Sequence, residues 1–299
     1  MNKKKKNKNF SSDTVFDIVL MIIVTTFMLM VLYPMIYIVS ASFSSGSAVA
    51  SGRVFLWPVE LTLQGYKIVF ETDSIWIGYG NSIFYTFLSS IVSVILTMLA
   101  AYPLARRNYQ GRKFYSIYFL IPMFFSGGLI PTYIVNSSLG LVNNRLGYFI
   151  IISGMNIYNM ILMRTFFQNS IPNELLEAAK MDGITDAGFL TKVVVPLSKS
   201  IFAVIYLYYM VSEWNAYMTP LIYLRNEMLY PLQIVLQKIM LAGRVQAGGD
   251  MSATALQQAA NSEIMKYSLI VVAAAPMIII YPFVQKFFEK GIMIGSLKG

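Results

Sequence analysis

Glu213 stands in the run YYMVSEWNAYM, an ionisable side chain within an otherwise apolar stretch. A carboxylate in such a place faces a cavity or a partner group rather than lipid, because an unpaired charge in hydrocarbon is costly. Trp214, Asn215, Tyr209 and Tyr217 surround it in sequence. Aromatic faces beside amide and carboxylate acceptors suit a sugar, whose C–H faces pack on rings while its hydroxyls take polar partners. The same residues also suit a structural role, with Glu213 hydrogen-bonded between helices and the rings as packing. Asn81, Tyr85, Asn156, Tyr158 and Asn159 fit either a solute path or hydrogen bonding between helices.

A second group lies in the polar interval from Ile171 to Ser200, IPNELLEAAKMDGITDAGFLTKVVVPLSKS. Pro172 suits the first turn of a helix, Gly183 suits a left-handed stop, and Thr185 or Asp186 can cap a second helix that Pro196 would end. The expectation is helix, tight turn, helix. Glu177 is either a contact to an Arg or backbone donor on a partner, or a solvated charge paired with Lys180. Ala178 and Ala179 are small enough to admit a partner's backbone. Gly183 reads as a plain cap, as a pivot, or as both. Phe189 is expected to be exposed and to need cover, from neighbouring membrane helices or from a partner's groove.

Much chemistry is excluded. The chain has no Cys and no His, which removes disulfides, thiol nucleophiles, imidazole bases and zinc held by those ligands. No G-x-x-x-x-G-K-[ST] sequence is present, so ATP is not bound through a Walker loop of its own. No pair of membrane acids suggests glycosidase or aspartyl chemistry.

The elements that must position these residues are membrane helices. Of 299 residues, 57% are hydrophobic and 12% charged, far from the soluble norm of about 25% charged. The reading is an all-α polytopic membrane protein with six transmembrane helices and both termini cytoplasmic. Residues 1–13 form a basic arm, read as preceding a retained first helix rather than a cleaved signal. Residues 14–77 hold the first helix (Val15 to Ser40, with a kink expected at Tyr33-Pro34) and an outer loop carrying Trp57-Pro58. Residues 78–288 hold the other five, and 289–299 a cytoplasmic tail. The second helix is placed at Gly78 to Ala105, and the third at Phe114 to Val135, broken by Pro122, Gly127-Gly128 and Pro131. The fourth is placed at Leu146 to Gln168, the fifth at Ile201 to Ile222 and the sixth at Ile264 to Phe288. An outer loop is expected at Gly248-Gly249-Asp250. The net charge of +9 could suggest nucleic acid, but this arrangement puts sixteen Lys and Arg on inner segments and seven outside, the positive-inside pattern. No nucleic acid is expected, and no internal repeat is visible.

Glu177-Ala178-Ala179, Gly183 and the closing Val193-x-Val195-Pro196 resemble the EAA loop of bacterial ABC importer permeases, with valines where Ile-x-Leu-Pro is usual. FFSGGLIPTYIVNSSLGLVNN, SEWNAYMTPLIYL and KFFEKGIMIGSLKG extend the likeness over about Gly65 to Gly299, to carbohydrate-uptake permeases of the maltose-transporter type. Within these it is similar to Gram-positive importers of oligosaccharides or polysaccharide fragments. The resemblance implies a type-1 importer permease fold in the bacterial plasma membrane. It implies coupling to separate ATPases through Glu177, Ala178, Ala179, Asp182, Gly183, Phe189 and Pro196. The solute path would use Glu213, Trp214, Asn215, Tyr209, Tyr217, Asn81 and Asn156. The implied partners are a second homologous permease, an ATPase dimer and an extracellular solute-binding lipoprotein. ATP and Mg would sit on the ATPases, with no cofactor or metal on this chain, which would itself be no enzyme. The competing expectations are an importer permease for a peptide or amino acid and an ion-coupled secondary transporter.

Overall fold

The computed structural model describes residues 12–246 and 253–296. Residues 1–11 of the basic arm, Gly248-Gly249-Asp250 and Lys298 lie outside the described residues, and α1 takes in the arm's last two residues. Among the described residues there is no strand. Three helices are long and apolar enough to cross a membrane, Thr14–Ser42, Asp73–Ala105 and Ala260–Phe283, and three bent pairs raise the number to as many as six.

One compact unit comprises the described residues up to Glu71 together with those of Ile239–Val272. Its helix α1 (Ser12–Ser42) runs through Pro34 without a break, and every residue from Thr14 to Met35 is exposed within the chain. A helix apolar on all sides and bare on all sides is one that lipid or a partner must cover. The expected outer loop carries two short helices, α2 (Gly46–Ala50) and α3 (Gln64–Glu71). Serines fasten this loop to the end of α1. The Ser40 hydroxyl donates to the Leu56 carbonyl at 2.6 Å, and the Val59 N–H donates to the Ser44 hydroxyl at 3.0 Å. Ser45 caps α2 and also donates to Glu60, which pairs with Arg53 at 2.9 Å. Those hydrogen bonds, first from Ser45 and then from Arg53, hold the Glu60 carboxyl below the usual carboxylate range. Gly46 and Gly65 lie so close to Ala260 and to Ser268 that a Cβ at either would overlap them.

The other unit comprises Thr72–Lys238 with the residues from Ala273 on. Its axis is α4 (Asp73–Ala105), which begins before the expected Gly78 because Asp73 and its neighbours extend the helix by more than a turn. Ser82, Thr86, Ser89, Ser93, Thr97 and Ala101 are buried along one face of α4, at steps of three and four residues. Small side chains on such a stripe let neighbouring helices approach closely. The helices that pack most extensively on α4 are α8 (Ile157–Ser170) and α12 (Lys199–Trp214).

The expected break in the third span is present. Helix α5 (Arg112–Phe124) and α6 (Leu129–Ser138) meet at 110°, and Gly128 adopts φ 84° at the joint. The fourth span, expected to be continuous, is also broken. Helix α7 (Arg145–Ile152) meets α8 at 51°, because Asn156 caps α8 by accepting from the Asn159 N–H at 3.2 Å. The remaining elements are α9 (Asn173–Met181), α10 (Asp186–Phe189), α11 (Val195–Leu197), α13 (Met218–Tyr223), α14 (Leu232–Gln246) and α15 (Ala253–Ser296). Helix α15 runs through both Pro276 and Pro282.

Candidate functional site

The interval Ile171 to Ser200 folds as helix, turn, helix. Pro172 precedes α9, and Gly183 turns the chain at φ 73°. The Ile184 N–H returns to Ala179 O at 2.9 Å and the Gly183 N–H to Lys180 O at 3.0 Å, the paired closure of a Schellman motif. Only a left-handed residue allows that pairing, which is why glycine stands there. Thr185 caps α10, accepting from the Gly188 N–H at 3.2 Å. Helix α10 then passes through one π-turn, where the Val195 N–H reaches Leu190 O, into α11. Pro196 lies in the first turn of α11 rather than ending the helix, and the sharp break, 82°, comes at Ser198.

Burial divides the interval into an inner and an outer edge. Ala179, Phe189, Leu190 and Val194 join a core with Leu104, Met163, Phe167 and Ile205. Phe189 is 0% exposed, so of the two covers expected it is the chain's own neighbouring helices, not a partner's groove, that enclose it. Ala179 likewise faces this core, not a partner. The outer edge is Glu177, Ala178, Lys180, Met181, Asp182 and Gly183, all exposed. Met181 is 90% exposed and is the apolar side chain bare at this tip. The helical wheel would have found it, since it sits opposite Leu176 and Ala179. Among the described residues no ion pair reaches Glu177, so the expected pairing with Lys180 is absent.

A concavity of about 510 Å³ opens where α7 breaks from α8 against α12. Met155, Asn156, Tyr158, Asn159, Tyr208, Tyr209, Ser212, Glu213 and Thr219 are among its lining residues. Glu213 is half-buried, and among the described residues no hydrogen bond or ion pair reaches its carboxylate. Tyr209 is the groove's fixed point. Its hydroxyl pairs with Thr97 of α4 at 2.7 Å and accepts the Asn156 N–H at 2.8 Å.

A model of the family described as "Binding-protein-dependent transport system inner membrane component" matches residues 93–294. The chain belongs to that family. It is a permease subunit of a bacterial ABC transport system, a membrane component that carries no enzymatic activity of its own. The permease is 38% identical to the polygalacturonan/rhamnogalacturonan transport system permease protein YtcP of Bacillus subtilis, over 95% of this chain and 98% of that one. It is 36% identical to Protein LplC of the same organism, over 97% of each chain. A solved bacterial ABC transporter involved in import of the acidic polysaccharide alginate has a chain 37% identical, with TM-score 0.83, covering 96% of this permease and all of that chain. The permease thus has the ABC importer fold. Its family implies a second permease, an ATPase and a binding protein as partners.

The permease's other path candidates do not gather at the groove. The Trp214 indole N–H donates to Ala273 O at 3.1 Å, and the Asn215 amide donates to Val211 O at 2.8 Å. Tyr217 is outside the groove's lining. Asn81 is buried elsewhere on α4, donating to Met228 O at 2.8 Å and Tyr230 O at 3.1 Å and accepting from Arg145 at 2.8 Å. Tyr85 serves the same segment, donating to Leu229 O at 3.2 Å. Tyr208, Ser212 and Thr219 belong to the groove and were not singled out in the sequence. Ser212 lies one helical turn from Tyr208 and Tyr209, which was the available signal, whereas Thr219 lies on α13 and had none.

Proposed function

We propose that the permease imports an oligosaccharide delivered by an extracellular binding lipoprotein, driven by an ATPase dimer of which one subunit docks on the outer edge of α9. Both termini face the cytoplasm in this reading, and the spans number six: α1, α4, the bent pairs α5–α6 and α7–α8, α12 and α15, with α9 to α11 beneath the membrane. The observation that carries the coupling role is the division of the interval into a bare edge, with Glu177, Ala178 and Lys180 to Gly183, and an inner edge built into the core. An element anchored to the spans on one side and free on the other can transmit a push. Glu177 and Asp182 would offer carboxylates, Ala178 a close approach, and Met181 an adaptable apolar contact. ATP and Mg²⁺ would be held by the ATPases.

For the solute, the groove combines three tyrosines, two asparagines, a serine, a threonine and Glu213, with no Lys or Arg in its lining. Such a wall suits a polyhydroxylated, ring-shaped ligand better than an anionic peptide terminus. Relatives named for polygalacturonan or rhamnogalacturonan, for arabinooligosaccharides and for alginate favour a saccharide over a peptide or an amino acid.

The test is uptake of labelled oligosaccharides into vesicles holding the complete transporter. Uptake should require ATP on the ATPase side, and Gly183→Trp should abolish both uptake and ATPase co-purification. Uptake that proceeds on an ion gradient without ATP would overturn the reading.

A further inference from the structure

The inner edge of the coupling interval is tied to α4 by one cation. The Arg106 guanidinium, just past the end of α4, lies 4.5 Å from the ring centre of Tyr102 and 4.7 Å from that of Phe189. It also donates to the Tyr102 hydroxyl. That hydroxyl in turn donates to the carbonyl of Asp186, the first residue of α10, at 3.1 Å. Arginine suits the role because its planar face stacks on rings while its edge donates hydrogen bonds. Among the described residues no carboxylate pairs with Arg106, so its contacts are the two rings and the hydroxyl.

We infer that Arg106 is a positioning residue, the joint through which α10 and α4 move as one body. The inference rests on the coupling role proposed above and adds where the push goes. From α4 it reaches the groove through Thr97 and Tyr209, whose hydroxyls are 2.7 Å apart. Tyr209 then holds the Asn156 N–H, at the break that shapes the groove wall. Docking at Glu177 and solute release at Glu213 are thereby linked by hydrogen bonds and ring stacking, with no need for the intervening loop to be stiff.

The chain contains no Cys, so two can be introduced for spin labels at Lys192 and Asn108, both exposed. In the complete transporter, with partner cysteines replaced, the Lys192–Asn108 distance should be narrow and identical with and without ATP. Arg106→Gln should broaden it and raise the ATP consumed per solute imported by about threefold or more. Arg106→Lys, which keeps a cation over the rings, should restore most of the coupling. If Arg106→Gln does not assemble, Tyr102→Phe removes only the hydroxyl and should give an intermediate loss. A wild-type distance that changes with ATP, or variants with unchanged distance and stoichiometry, would overturn the joint. Absence of any ATPase from the wild-type complex would instead strike the proposed function, and the distance measurement would still judge the joint.

Discussion

Asn81 and Glu213 are both polar side chains set in apolar helices, and the structure treats them in opposite ways. Both amide hydrogens of Asn81 meet backbone carbonyls, and its oxygen takes a hydrogen bond from Arg145. Glu213 faces a groove, its carboxylate met by no hydrogen bond among the described residues. The first arrangement uses up the group's bonding capacity and fixes a fold. The second leaves that capacity for something that arrives. In a membrane helix the difference between structural polarity and a solute site is therefore one of satisfaction, since burial is required in both.

The contrast fails if the two positions respond alike. The largest effect on stability is expected from Asn81→Ala, which strands the Arg145 guanidinium and two carbonyls. A loss of roughly 2–4 kcal/mol follows from leaving such groups unpaired, visible as a clear drop in the melting temperature of the purified complex. Glu213→Gln should leave that temperature nearly unchanged while uptake falls about tenfold, the loss of one charge-assisted hydrogen bond to the solute. Should Glu213→Gln melt the complex and Asn81→Ala spare it, the assignment of roles is reversed.

The smallest effect belongs to Glu60, an exposed carboxylate that is fully served by neighbours. Its folded pKa lies below the ordinary value, so its contribution is present above the usual carboxylate range and fades as pH falls through the lowered value. Glu60→Gln should flatten the acid limb of stability against pH by a slight amount and leave neutral-pH uptake unchanged. A large effect at neutral pH would show that an exposed carboxylate can matter as much as the half-buried one.

How much of this could be read from the sequence follows the same division. The long helices α1 and α4 were legible because twenty or more apolar residues admit few alternatives. The break at Gly128 was legible because Pro and Gly punctuate it, whereas the break before Asn156 is marked only by Gly154 and a capping side chain. Gly183 and Thr185 were placed correctly because turn and cap chemistry is local. For Phe189 the sequence leaves two covers open, and the choice between them depends on Arg106 and on core residues from distant parts of the chain. Asn81 and Glu213 looked alike for the same reason, since the carbonyls of Met228 and Tyr230 that satisfy Asn81 have no signature in composition or spacing.

The claim on which the rest depends is that α9 lies beneath the membrane with its outer edge against an ATPase. Glu177→Cys, in a chain with no other thiol, tests it in sealed cells. The account predicts that an impermeant maleimide added outside leaves the residue unlabelled and that a short bifunctional crosslinker joins it to the ATPase. Labelling from outside, or adducts to the extracellular receptor in place of the ATPase, would contradict it.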